Sequence, residues 1–426
     1  MMEIIGYLST SIQSIAHRYQ MCVGRLQLKN IIITGGELYN KGAQAMTFVT
    51  VIQLKKRFPD HQIYLLSEMD LNRADDEKKQ YAFQFTGWYP IMFARAQQNP
   101  LLRLYCVLKH HEEFLSCEKL YRNCSLMVDI SGYGLGSNWG EPNCNRYLDH
   151  VEFAKRFHIP IYLLPQSFGP FSFTGDSGLK TSKRIEALLP CAKTIFAREE
   201  KSYNHLTQSY HLKNVVLADD IVLASKEIAQ DDLRLIFNDN RESIDIPLIE
   251  NSSVAIVPNR TLLTNIGEQK VYDLYSALVQ KLLALDHNVY LLTHASSDRG
   301  ICIRIKEMFK DNDQVHFIDH DYDCIDYNNV VKRFVYIISS RYHGAVHALK
   351  NDIPCVALGW ADKYGDLMKK YGLEQLSLNL KEKYDVALAL DVVNLMDQKY
   401  ADFHDMIHAV NDIIESDEVF STISFE

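Results

Sequence analysis

From Asn30 onward, short apolar runs alternate with longer stretches in which apolar positions recur every three or four residues. The short runs suit buried parallel strands and the longer ones suit covering helices, so the pattern predicts repeated α/β units. Lys29–Thr34 reads as a buried strand entering the turn Gly35-Gly36, followed by a helix over Ala43–Phe58 and a strand over Gln62–Ser67. Further strands are predicted at Ser125–Ser131, Pro160–Leu164 and Lys193–Ala197, with helical spacing over Ser202–Ser209. The polar stretch Asp231–Asn251 interrupts this rhythm and is the expected domain boundary. A second set then begins, with strands at Ser253–Val257, Asn288–Thr293, Gln314–Ile318, Val335–Ser339 and Pro354–Leu358. Helices are predicted over Val271–Leu285, Gly300–Phe309, Leu367–Tyr371 and Tyr384–Val410. The expectation is two facing doubly wound Rossmann-like domains, 30–245 on the acceptor side and 246–426 on the donor side, with ligands at the carboxyl ends of the strands. Residues 1–29 form a leader outside this pattern.

Composition narrows the function. With 426 residues, 47% apolar and 23% charged, the chain has room for two cores and no disordered bias. A net charge of −9 with no long basic stripe argues against nucleic-acid binding. Nine cysteines without a C-x-x-C pair suit a reducing compartment. The leader lacks the uninterrupted apolar core of a secretory signal, because His17 and Arg18 break it. No apolar stretch is long enough to span a bilayer. A cytoplasmic protein is expected, with the leader either a peripheral contact at the inner membrane face or the product of an upstream start codon.

The candidate chemistry sits in loops that follow strands. Ser339-Ser340-Arg341-Tyr342-His343-Gly344 joins a β-branched strand to a helix. A guanidinium and an imidazole at a helix start, beside free backbone N–H groups, make a seat for a compact anion such as a phosphate ester. The competing reading is an ordinary solvated turn. Asn40 and Gly42 follow the first strand, where glycine permits close backbone approach and Asn40 can simply cap the next helix. Asp129 and Ser131 end another strand; an acid there is costly unless paired or at work. Gln166 and Ser167, between Pro165 and Pro170, suit hydroxyl recognition or a tight turn. Arg198 ends a short strand and offers a second cation or a surface ion pair. His294 lies in the polar loop after Asn288–Thr293, and Trp360, Lys363 and Tyr364 follow the strand at Pro354–Leu358. His343 and His347 have i, i+4 spacing, but the Glu of a zinc-helix motif and a third ligand are missing, so no metal site is expected.

In order, these pieces resemble the polysaccharide pyruvyl transferase family. The matching residues are Gly35-Gly36 with Asn40-x-Gly42, Asp129-x-Ser131-Gly132, and Pro165-Gln166-Ser167-x-Gly169-Pro170. Ala197-Arg198-Glu199-x-x-Ser202, Ser340-Arg341-Tyr342-His343-Gly344 with His347-Ala348, and Trp360-x-x-Lys363-Tyr364 complete the set. This chain departs from many relatives in having Ala43-Gln44 where they carry an acid directly after Asn-x-Gly. The resemblance implies a GT-B-like fold and transfer of a carboxyethylidene group from phosphoenolpyruvate to a sugar. The acceptor would be a surface polysaccharide or its lipid-linked precursor. It also implies phosphoenolpyruvate contacts at Arg198, Arg341 and His343, with no cofactor beyond the donor substrate.

Two guanidiniums from opposite domains would meet the phosphate and the carboxylate of that donor. His343 is expected to bind phosphate or to donate the proton to the methylene carbon, and Asp129 or His294 to act as general base. Two other readings remain open: a GT-B glycosyltransferase using a nucleotide sugar, and a non-catalytic anion-binding subunit of a polysaccharide assembly system.

Overall fold

A computed structural model describes residues 30–87, 96, 99–109, 111–225, 227–239, 241, 244–414 and 418–425; the leader lies outside them. The first sheet contains β1 (Asn30–Thr34), β2 (Gln62–Leu66), β3 (Gln84–Thr86), β4 (Cys124–Asp129), β5 (Ile161–Gln166), β6 (Thr194–Ala197) and β7 (Val215–Leu217). All pairings are parallel, in the order β3-β2-β1-β4-β5-β6-β7. The second contains β8 (Ser253–Val257), β9 (Asn288–Leu292), β10 (Val315–Ile318), β11 (Tyr336–Ser339), β12 (Cys355–Gly359) and β13 (Ser377–Asn379). It is also parallel and repeats the same winding, β10-β9-β8-β11-β12-β13. Each sheet reverses direction between its first and fourth strands, β1/β4 and β8/β11. That reversal opens a crevice at the carboxyl edge.

The central strands are buried on both faces, which is why they read as continuous apolar runs. The edge strands β3, β7 and β13 are short and partly exposed. They escaped the sequence pattern because an edge needs no apolar run; β13, Ser377-Leu378-Asn379, rather than β12 is the last strand.

Helix α1 (Lys41–Arg57) is buried nearly all round over Lys41–Ile52. Such a helix has no solvent face to keep polar, and here it is wedged between the halves. It packs on α2 (Cys324–Val331) and α3 (Tyr342–Lys350), both from the second half, and on the turn Ile221–Ala224. Beyond these, α4 (Lys363–Lys370) follows β12, and α5 (Val386–Asn411) is broken at Lys399. The chain then returns to the first half, where Ser424 N–H donates to the Tyr162 hydroxyl (3.2 Å) and Phe425 stacks on His61. No helix among the described residues is long and apolar enough to cross a membrane.

Backbone bonds tie the halves at the start of α1. Lys41 N–H donates to the His294 carbonyl (3.0 Å) and Ser296 N–H to the Tyr39 carbonyl (3.2 Å), forming a bridge between Asn40 and Ala295. Lys41 also pairs with Asp321, and Arg241 with Asp323 (2.6 Å). Gln44, buried on α1, accepts the Cys324 N–H (2.7 Å) that opens α2. Removing that acceptor leaves a buried N–H without a partner, at a cost of about 1–3 kcal/mol. Gln44→Ala is therefore expected to lower unfolding stability by about that amount in urea titrations. Gln44→Glu, which keeps the acceptor, should lose less.

Candidate functional site

The loops after β1, β2, β4 and β6 face those after β8, β9, β11 and β12 across a single cleft of about 620 Å³. Arg198 and Arg341, one from each half, both line it. This convergence follows from the parallel winding, which brings every strand's carboxyl end to the same edge.

Neither arginine is free. The Arg198 guanidinium is nearly buried; its Nη1 donates to Asp220 (2.6 Å) and its Nη2 to Ser167 Oγ (2.9 Å) and the Gly132 carbonyl (3.0 Å). Its face lies 4.1 Å from the centre of the Tyr342 ring. Arg341 forms a two-pronged pair with the fully buried Asp298, Nε to Oδ2 at 2.8 Å and Nη2 to Oδ1 at 2.5 Å. The same carboxylate accepts the N–H groups of Arg260 (3.0 Å) and Ala295 (3.1 Å), fixing two neighbouring loops around the guanidinium.

His343 crosses between the halves. Its Nε2 lies 3.5 Å from Asp220, and its ring rests on the first turn of α1 at Gly42, where a Cβ would sit 2.3 Å from the ring carbon. Only glycine admits this contact. Burial pushes the imidazole towards neutrality, opposed by Asp220 and reinforced by Arg198 and Lys363. Burial also resists the Asp220 charge, but His343 and Arg198 prevail and hold the carboxyl well below its usual range. The N-cap residue of α3, Arg341, makes no side-chain cap, although the Tyr342 amide already meets the Tyr364 hydroxyl, so the positive end of the helix still faces the cleft.

Lys363 supplies the charge that the arginines do not. Its ammonium makes no hydrogen bond or ion pair with any described residue. It lies 5.1–5.9 Å from the ring centres of Tyr133, Tyr342, Trp360 and Tyr364. Crowding by these rings removes solvation, and Arg198 adds repulsion; together they lower its pKa to about 7.

The cleft also holds Glu37, which the sequence reading missed because a glutamate in a glycine turn carries no pattern. Its carboxylate makes no hydrogen bond or ion pair with any described residue. Burial and the nearby Asp70 raise its pKa, opposed by Arg341. Its backbone is held by the Leu38 N–H bonded to Asp70 (3.1 Å) and by Arg73 stacked on Tyr39 (4.0 Å).

Asn40, Ser131, His294, Tyr342 and Lys363 line the cleft with the arginines and His343. Asn40 also caps α1, accepting the Gly42 N–H at 3.0 Å. Five expected contacts, Gly42, Asp129, Gln166, Ser167 and Gly344, lie elsewhere. Asp129 is sequestered: it accepts Thr34 Oγ1 (2.7 Å), Ser131 N–H (3.1 Å) and Oγ (3.0 Å), and Gln166 Nε2 (3.0 Å). Both Asp129 and Gln166 are buried behind the cleft wall, joining β1, β4 and β5, so Asp129 cannot reach a substrate hydroxyl. Gly344 packs under Ser339, and Gly42 under His343. Ser167 faces an adjoining cavity. His294 reaches the cleft, but burial depresses its pKa well below the usual range, leaving a neutral ring. His347 is buried with its Nδ1 3.2 Å from Asn328.

A family model described as Polysaccharide pyruvyl transferase matches residues 40–362. Comparison with curated proteins returns no match. Among solved structures, the chain is similar to the S. aureus MnaA–UDP co-structure at 12% identity and TM-score 0.55, covering 91% of this chain and 93% of that one. It is also similar to UDP-GlcNAc 2-epimerase from Methanocaldococcus jannaschii in complex with UDP-GlcNAc and UDP, at 12% identity and TM-score 0.50, covering 87% and 93%. The enzyme of the same name from Neisseria meningitidis, bound to UDP-GlcNAc, matches at 10% identity and TM-score 0.50, covering 90% and 98%. At this identity the likeness establishes the fold, which is of the GT-B type.

An anion in the cleft should prefer charged Lys363, which is present below pH 7 and lost above it. Sulfate keeps its charge across this range. Its affinity, measured by calorimetry, is expected to fall roughly ten-fold from pH 6 to pH 8. Lys363→Met should weaken binding at pH 6 and flatten the dependence.

Proposed function

The chain belongs to the polysaccharide pyruvyl transferase family, and on that basis we propose that it transfers a carboxyethylidene group from phosphoenolpyruvate to two hydroxyls of a saccharide. The observation that carries this reading is Arg198 and Arg341 facing one cleft from opposite halves, with Lys363 beside them among aromatic rings and without a salt bridge to any described residue. Phosphoenolpyruvate presents a phosphate and a carboxylate on a three-carbon frame. The start of α3, with His343 and Lys363, suits the phosphate, and Arg341 suits the carboxylate.

Glu37 fits the proton chemistry better than the sequence candidates Asp129 and His294. In its protonated form it gives a proton to the methylene carbon, and the central carbon becomes electrophilic. The first saccharide hydroxyl adds there and returns its proton to Glu37. Phosphate then leaves, taking the proton of the second hydroxyl as that oxygen closes the ketal ring. The two hydroxyl protons thus account for the new methyl hydrogen and the protonated phosphate. Arginine and lysine stabilise the charge that builds on the leaving group.

Purified protein incubated with phosphoenolpyruvate and galactose-, mannose- or N-acetylmannosamine-containing acceptors should add one ketal and release one phosphate per transfer. Absence of acceptor mass gain with phosphate at background would overturn the reading. Stabilisation in thermal-shift assays by UDP-GlcNAc but not by phosphoenolpyruvate would favour a nucleotide-sugar enzyme instead. Glu37→Gln is expected to lower kcat by about 10²–10⁴-fold while leaving the KM for phosphoenolpyruvate nearly unchanged.

A further inference from the structure

The cleft does not end at the aromatic cage. Tyr133, Trp360 and Lys363 also line a second cavity of about 350 Å³, so the two spaces share one wall. The second cavity again lies between the halves. The Ser167–Pro170 turn and the Glu199–His205 segment bound it on one side, and Trp360–Asp366 with the end of β13 at Asn379 bound it on the other.

Its chemistry differs from that of the cleft. Glu199, Asp362, Asp366 and Glu382 stand against Lys201, Lys381 and, on the shared wall, Lys363, and no arginine lines it. Lys201 is already paired with Asp362 (2.8 Å). With no arginine and no excess of cations, the wall offers little to a second phosphate. Two acceptor atoms, Asp366 Oδ2 and Asn379 Oδ1, are buried without any hydrogen-bond donor. The Asn379 amide donates only weakly, to Asp362 at 3.5 Å, which leaves its carbonyl oxygen directed elsewhere. Unmatched acceptors beside an indole ring call for a neutral ligand rich in hydroxyl donors, with an apolar face to lie against the ring.

We propose that this second cavity is a saccharide subsite holding the sugar residue that adjoins the one modified in the cleft. The identity of its occupant as part of the acceptor rests on the transferase reading above; the preference for a neutral sugar rests on the cavity's own lining. Asp366 and Asn379 accept hydroxyl hydrogens, and Trp360 carries the sugar face across the shared wall. The site therefore selects acceptors of at least two residues.

The test compares methyl galactoside and methyl mannoside with the corresponding disaccharides, using the full chain and phosphoenolpyruvate. The wild-type protein should show a KM about ten-fold lower for its preferred disaccharide than for the methyl glycoside. Asp366→Ala and Asn379→Ala should each raise the disaccharide KM towards the methyl glycoside value, with the KM for phosphoenolpyruvate unchanged. Equal KM values for the two acceptor lengths, or variants that shift both acceptors alike, would overturn the proposal. If nothing is turned over, saturation-transfer NMR with the same sugars still decides it. Contact to the second sugar ring, lost in Asp366→Ala, supports the subsite even though the transferase reading has failed; no contact in the wild type sinks it.

Discussion

Asp220 is the constraint on which the site depends. One buried carboxylate, in the loop after β7, holds Arg198, caps the turn Ile221–Ala224 through Val222 and Leu223, and meets His343 from the other half. A charge so deep survives only because its lone pairs are filled and a guanidinium lies beside it. The arrangement is therefore cooperative. Without Asp220, Arg198 would keep only the longer contact of its Nε with Glu199 (3.7 Å), the turn would lose its cap, and His343 would lose the carboxylate that favours its protonated form. The contact of His343 with Gly42 places this cluster at the seam between the halves.

Compensation changes what the arginines can contribute. With Asp220 and Asp298 each cancelling a guanidinium, the cleft's usable charge comes chiefly from Lys363. Burial lowers the pKa of this ammonium to about 7, so in the proposed reaction a bound anion would draw it towards its charged form. The arginines then act as fixed, oriented donors whose remaining N–H groups define geometry. This division of labour suits a small, doubly functional acid better than a diffuse polyanion, because orientation comes from rigid forks and affinity from a single responsive charge.

The fold was legible because its central strands are buried on both faces and read as apolar runs; the polar edges β3, β7 and β13 were not, since packing there is one-sided. Arg198, Arg341 and His343 were legible because strand-end cations in parallel sheets must share an edge. Their partners were hidden by distance along the chain: Asp220 lies 22 residues from Arg198, and Asp298 lies 43 from Arg341. Asp129 shows the opposite failure. It ends a strand as a site residue would, yet its carboxylate turns onto Thr34 of the neighbouring strand and onto Gln166. In a sheet covered on both faces, alternation cannot say which way such a side chain points. Gln44 explains the departure at Ala43-Gln44, where the neutral amide serves as a tie to α2 rather than as an acid.

That tie bears on where the acid of the reaction stands. Glu37 sits on a loop whose next residues are bonded to Asp70 within their own half and, at Tyr39 and Lys41, to the β9 loop of the other. The β9 loop is in turn held by Asp298, the partner of Arg341. The acid and the guanidinium are thus connected through a short run of backbone bonds that exists only when the halves are together. In the proposed reaction the proton donor is positioned against the donor substrate by the same closure that builds its seat.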